Sequence, residues 1–346
     1  MGFSSEPLRV GLAGVGRFGQ LHASVLSRMP GAELTALADP DPRQLEQVAD
    51  RYGVAKRFHE ALTLIEDDSL DAVVLATPDE QHSEQVRAAL LRRRPVFVEK
   101  PFARGWREAL ELQTLADQTG TLLQVGMVLR YELAHRLLRQ QVVDGAFGDL
   151  VSIRCQRNCS RRSFAAIADQ VHTVFRTLIH DIDLLLWLSN SSVVSVTALE
   201  FRQGDHLAPQ GCFALLRLAN GCIAQLESSW TVPDQAPANV ITPHWNSTID
   251  AELAVVGTAQ TARLRGLDSG LQVWSDRNVQ SPDLTLWPQI DGHVHGALHE
   301  QLRDFLDTVR SGRPSSVASL ADAVQGLKIA EAMIESARQR TTLTMA

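Results

Sequence analysis

Short aliphatic and β-branched runs alternate with amphipathic stretches from Leu8 to Gly126. The apolar runs fall at Val10–Ala13, Leu34–Ala38, Ala72–Ala76, Val96–Glu99 and Leu122–Val125. Between them, helical spacing begins at Phe18 and at Pro42, and covers Ser83–Arg93 and Trp106–Gln118, which is the βαβ rhythm. The strand segments are apolar throughout rather than alternating, as suits a parallel sheet covered on both faces. After Tyr131 the pattern changes. One helix over Leu133–Val143 gives way to β-rich segments at Leu150–Gln156, Val193–Phe201, Phe213–Leu218, Cys222–Ser228, Ala251–Val256 and Ala262–Arg265. A single strong helix, through Ile182–Leu188, interrupts them, and Ala219-Asn220-Gly221 reads as a hairpin turn. His299–Val309 and Leu320–Arg338 are helical again. The expectation is an α/β chain: a doubly wound parallel sheet in residues 1–126, then an α/β domain in 127–346 with a large, mostly antiparallel open sheet. The last helix is free to pack back on the first domain. One covering layer leaves a face of the second sheet in need of a partner, so a homodimer or homotetramer is expected.

A chain of 346 residues with 45% hydrophobic content supports two such cores. A formal net charge of -7 gives no general attraction to nucleic acid or anionic membranes. Met1 to Pro7 lacks a basic segment followed by an apolar run, and no later apolar stretch is long enough to span a bilayer, so a cytoplasmic location is expected. Cys155, Cys159, Cys212 and Cys222 lack the paired short spacings of zinc or redox motifs. The only local histidine pair, His293 and His295, has no nearby carboxylate or thiol in sequence, and no metal is expected.

Gly14-Val15-Gly16-Arg17-Phe18-Gly19 is a Gly-x-Gly-x-x-Gly run between a strand and a helix, the Rossmann signature for a dinucleotide. Gly14 allows the tight turn, Gly16 lets backbone approach a pyrophosphate, and Gly19 lets the helix pack closely on the strand. The helix N-terminus adds unpaired N–H donors. Asp39, about 20 residues on and at the end of the second strand, can accept both ribose hydroxyls of NAD and would repel a 2'-phosphate. It can also start the turn Asp39-Pro40-Asp41-Pro42, and Arg43 leaves room for NADP. NAD is favoured.

Ala76-Thr77-Pro78 followed by His82, and Val98-Glu99-Lys100-Pro101, resemble the glucose–fructose oxidoreductase and inositol dehydrogenase (Gfo/Idh/MocA) family. The resemblance continues through Val125-Gly126-Met127, Arg130-Tyr131, Gly145 to Gly148, Ile179-His180-Asp181-Ile182-Asp183 and Ala330-Glu331-Ala332. It implies an NAD-dependent dehydrogenase acting on a polyol, sugar or sugar acid, with Thr77, Pro78, His82, Glu99 and Lys100 at the cofactor and a cis bond before Pro101. Lys100 and His180 are then the catalytic pair. Oxidation of an alcohol needs a base for the hydroxyl proton and a cation near the oxygen, and His180 and Lys100 supply them. Their bland alternatives are a histidine in a satisfied hydrogen bond at a helix N-terminus and a solvated lysine at a strand end.

Asp183, three residues after His180, shares its helical face and can bind a substrate hydroxyl, orient the imidazole or cap the helix. Asp181 is expected to be a first-turn acid favoured by the helix dipole. The resemblance also places Gln156, Asn158 and Tyr131 near substrate. Inositol dehydrogenases usually carry an aspartate four residues before the catalytic histidine, whereas this chain has Arg176. Arginine suits a substrate carboxylate or phosphate, and its planar match to a carboxylate points to a sugar acid, or else it faces solvent. Ile249 stands where a substrate-facing tyrosine is expected, with Trp245 and Asn246 nearby, so plain myo-inositol is not the expected substrate. An NAD-dependent glycosidase and an NAD-binding regulator are the alternatives.

Overall fold

The computed structural model describes residues 6–165, 167–242, 245–268, 270–276 and 279–345. In chain order the first elements are β1 (Leu8–Ala13), α1 (Gly19–Leu26), β2 (Ala32–Ala38), α2 (Pro42–Tyr52), β3 (Lys56–Phe58), α3 (Ala61–Glu66), β4 (Ala72–Leu75), α4 (His82–Leu91), β5 (Val96–Val98), α5 (Trp106–Thr119) and β6 (Leu123–Val125). The strands form one parallel sheet in the order β3-β2-β1-β4-β5-β6. Every residue of β4, β5 and β6 is buried, as their unbroken apolar runs require. Sequence reasoning missed β3 and α3. Two of the three residues of β3 are charged, and α3 buries only Leu64 and Ile65, so neither has enough periodicity to register. Helix α2 shows why local chemistry sets an end: Asp41 Oδ1 accepts the Arg43 N–H at 2.9 Å, Pro42 opens the helix, and Gly53 closes it at φ 69°.

Next come α6 (Leu133–Val143), β7 (Leu150–Ser160), a single turn α7 (Arg161–Phe164), a π-helical turn at Val174–Leu178, α8 (Ile179–Ser189), β8 (Val193–Phe201), β9 (Gly211–Leu218) and β10 (Ile223–Val232). They are followed by β11 (Val240–Thr242), β12 (Trp245–Ser247), β13 (Ile249–Gly257), β14 (Thr261–Gly266), β15 (Val273–Trp274), β16 (Val279–Gln280), β17 (Gln289–Ile290), β18 (His293–Val294), α9 (Ala297–Ser311), α10 (Leu320–Gln339) and β19 (Leu343–Thr344). The second sheet runs β14-β13-β7-β10-β9-β8-β19, antiparallel except for the β7–β10 pair. The hairpin expected at Ala219–Gly221 joins β9 to β10.

Burial alternates along β9, so one sheet face is covered and the other open. Helix α8, buried nearly throughout, lies on the covered face, and Gly326 of α10 lets that helix approach Ile179 and Ile182. The open face exposes Leu199, Phe213, Leu215 and Ile223.

The chain divides into two compact units, Met1–Tyr131 with Trp287–Val324, and Glu132–Leu286 with Gln325–Ala346. Within the first unit the late segment is bound to the early one. The Phe97 and Phe305 rings meet edge to face at 5.8 Å, Arg130 donates to Asp322 Oδ2 at 2.7 Å and to the Val317 carbonyl at 3.1 Å, and Arg310 donates to the Gly31 carbonyl at 2.6 Å. Among the described residues no helix is long and apolar enough to cross a membrane.

Candidate active site

The order of the first sheet reverses between β1 and β4, which opens a crevice at their carboxyl ends, where open α/β sheets bind ligands. The glycine loop leaves β1 there. Gly14 has φ +82°, and a Cβ on it would lie 2.5 Å from the Ala76 carbonyl oxygen. A Cβ on Gly19 would sit 1.9 Å from the Gly14 oxygen, so both glycines are demanded by the fold itself. A Cβ on Gly16 would meet nothing nearer than Gln44 Nε2 at 3.8 Å, which leaves its surroundings open to a ligand. Asp39 Oδ2 accepts the Val15 N–H at 2.8 Å while Oδ1 accepts that of Asp41 at 2.9 Å. The carboxylate thus ties the loop to β2 and also starts the turn, each oxygen keeping acceptor capacity for a hydroxyl. Arg17 and Arg43 are exposed and Phe18 is half-buried, its ring edge to face with His22 and Trp287.

Lys100 follows β5 and is half-buried at the same sheet edge, and the Lys100–Pro101 bond is cis, as expected. Its neighbours are fixed. The Glu99 N–H donates to the Leu75 carbonyl at 2.9 Å, and Glu99 Oε1 lies 2.9 Å from Nε2 of the fully buried His22. A Cβ on Gly126 would come within 3.0 Å of Glu99 Oε2, so the backbone just after β6 closes over that carboxylate. His82, expected to contact cofactor, is fully buried instead. Its Nδ1 is 2.7 Å from the Pro101 oxygen and its Nε2 is 2.9 Å from the Thr77 oxygen, so it holds two loops of backbone. Thr77 is half-buried, its hydroxyl donating to Gln85 Oε1 at 2.6 Å, and Pro78 is exposed.

In the second unit, His180 is half-buried in the first turn of α8, directly after the π-helical turn that carries half-buried Arg176. Such a turn inserts a residue into a helix and is common at functional sites. Asp183 is buried. Asp181 is the first-turn acid of α8, as expected, and it also accepts Arg157 Nε at 2.8 Å and Nη2 at 2.9 Å across the covered face of the sheet, both groups being buried. Although burial opposes its charge, the Asp181 carboxylate raises the Arg157 pKa above its ordinary value.

Three expected substrate residues have other duties. Gln156 and Asn158 share a face as alternation requires, but it is the open face, opposite α8, where they donate to Asp250 at 2.8 Å and Glu227 at 3.1 Å. Tyr131 is buried and donates to Asp304 Oδ2 at 2.6 Å, and burial together with that carboxylate drives its pKa up. Its hydroxyl anchors α9. Ile249 packs against the cluster of Cys159, Phe164 and Trp230.

Residues 8–127 match the family model for the Gfo/Idh/MocA oxidoreductases with an NAD-binding Rossmann fold, and residues 135–263 match the model of that family's C-terminal domain. The chain belongs to this family. The inositol 2-dehydrogenase of Rubrobacter xylanophilus is 34% identical over 208 residues, 60% of this chain and 58% of that protein. The inositol 2-dehydrogenase 1 of Mycolicibacterium vanbaalenii is 31% identical over 315 residues, 89% of this chain and 86% of that protein. The scyllo-inositol dehydrogenase of Lactobacillus casei, solved with NAD(H) and scyllo-inositol, shares the fold at 20% identity and TM-score 0.80 over 98% of this chain and all of that one.

This Gfo/Idh/MocA member is therefore an NAD-dependent oxidoreductase. Its first unit fits the cofactor, with open space at Gly16, N–H donors at the α1 terminus and an Asp39 carboxylate with acceptor capacity in reserve. Sequence reasoning missed His22, because a lone histidine inside a helix carries no signal until its partner across the sheet is known.

Proposed function

We propose that this oxidoreductase oxidises a secondary hydroxyl of a cyclic polyol, sugar or sugar acid. The observation that carries the reading is Lys100, held half-buried at the carboxyl edge of the dinucleotide-type sheet with its neighbours pinned. The names of the inositol dehydrogenase relatives support the substrate class. NAD, when bound, supplies the hydride acceptor. Gly14, Gly16, Arg17, Phe18 and Gly19 form its pyrophosphate loop, Asp39 receives ribose hydroxyls, and Thr77, Pro78 and Glu99 border the crevice. The Lys100 ammonium holds the hydroxyl oxygen and stabilises the negative charge that develops on it, while a ring nitrogen of His180 takes the proton and Asp183 orients the imidazole. The test is absorbance of reduced nicotinamide with NAD and, separately, NADP across inositols, aldoses and sugar acids. Reduction that is lost in Lys100→Met and His180→Ala supports the assignment. Tight NAD binding without reduction favours a glycosidase or a regulator, and a preference for NADP reassigns Arg43.

The π-helical turn at Val174–Leu178 favours a finer version, in which Arg176 binds the carboxylate of a sugar acid. Arg176→Ala should then raise KM for acids at least tenfold and leave neutral polyols untouched. Equal activity of variant and wild type on acids ends that idea.

A further inference from the structure

We infer that His22 and His82 are positioning residues for Lys100, clasping the Glu99–Pro101 turn from two helices. The inference rests on the role proposed above for Lys100. His22, inside α1, is fully buried and reaches Glu99 Oε1 at 2.9 Å through Nε2, and its ring is edge to face with Phe18 and Phe97 at 5.5 Å each. A carboxylate accepts only, so the shared proton is on the imidazole and the ring acts as donor. The aromatic contacts leave the ring little freedom to swing away. His82, at the start of α4, approaches the turn from its other side, with Nδ1 2.7 Å from the Pro101 oxygen and Nε2 2.9 Å from the Thr77 oxygen. Both oxygens are acceptors, so a ring N–H donates to one of them while the imidazole packs against both.

The consequence is a turn braced on either side of Lys100. Val98 is held through its carbonyl by the Gly126 N–H at 2.8 Å, Glu99 through its backbone and its carboxylate, and Pro101 through its carbonyl. Lys100 therefore stands between residues whose backbone is braced on both sides. A reacting group misplaced by about 1 Å loses on the order of 10²-fold in rate, so bracing of this kind acts on kcat. Neither histidine needs to touch substrate or cofactor.

The chain has only three lysines, Lys56, Lys100 and Lys328, which makes Lys100 directly observable. After reductive methylation with labelled formaldehyde, carbon NMR reads each dimethylamino group of the full chain. His22→Phe keeps the bulk and removes the donor. It should move the Lys100 signal while leaving those of Lys56 and Lys328 in place, and lower kcat on the order of 10²-fold with NAD affinity held within about twofold. His22→Gln, which can still donate to Glu99, should restore the signal and most of kcat. His82→Leu should move the same signal. In a Lys100→Met background the further loss of kcat from His22→Phe should disappear, because residues acting through one group are not additive. An unmoved Lys100 signal in both His22→Phe and His82→Leu overturns the inference, as does equal loss of melting temperature and kcat in His22→Phe and His22→Gln. Full turnover by Lys100→Met overturns the role of Lys100 itself, and the NMR comparison still decides the clasp.

Discussion

At the residue scale, the three glycines of the loop separate what folding demands from what a ligand demands. Gly16→Ala meets open space, so its unfolding free energy should stay within about 0.5 kcal/mol of wild type, while NAD affinity falls at least tenfold in titration calorimetry. Gly19→Ala drives a methyl into the Gly14 carbonyl and should cost about 1–3 kcal/mol by denaturant unfolding. That division was legible in the spacing, because each glycine answers a separate steric need. His22 was not, since nothing local distinguishes it from a solvent-facing helix residue, and His82 stood out only through the family resemblance, which did not give its two backbone contacts. The cysteines give a second test. All four are buried and none is in a disulfide, and burial, aided by Glu200, pushes Cys212 up to about 12. A thiol reagent at pH 8 should leave native protein almost unlabelled and modify all four on unfolding, since the thiolate is the reactive form.

At the element scale, β7 and α8 are joined by Arg157 and Asp181. The alternation of β7 was legible, but the ion pair joins residues 24 apart in sequence and no periodicity reports it. Arg157→Met strands a buried carboxylate and should cost about 3–5 kcal/mol, whereas Arg157→Met with Asp181→Leu should recover most of the loss. Thermal unfolding of both variants checks this. A second junction is pH-sensitive. Burial alone would raise the Glu200 pKa, but hydrogen bonds from His172 and Arg202 outweigh it and lower the value. A lowered carboxylate contributes stability above its unfolded pKa of about 4.3 and loses it as pH falls through the folded value. Glu200→Gln should therefore be less stable than wild type at pH 7, with the gap closing below about pH 4 in urea midpoints.

At the scale of the whole molecule, the change from βαβ rhythm to a β-rich half foretold both sheets, because period and run length are properties of the chain itself. The return of Trp287–Val324 to the first unit was not legible, since it depends on packing between distant segments. The open face of the second sheet keeps its sequence-level expectation as a proposal: Leu199, Phe213, Leu215 and Ile223 form an apolar surface for a second copy. Sedimentation velocity should show a dimer or larger species, and Leu199→Arg with Leu215→Arg should shift it toward monomer without loss of melting temperature.

The discontinuity of the first unit also bears on biosynthesis. Phe305, Asp304 and Asp322, which hold Phe97, Tyr131 and Arg130, leave the ribosome only after all of Glu132–Leu286. At about 5–20 residues per second, that delay is on the order of ten seconds. During it the nascent sheet exists without its closing helix, an interval in which a chaperone that recognises exposed Phe97 has its best opportunity to bind.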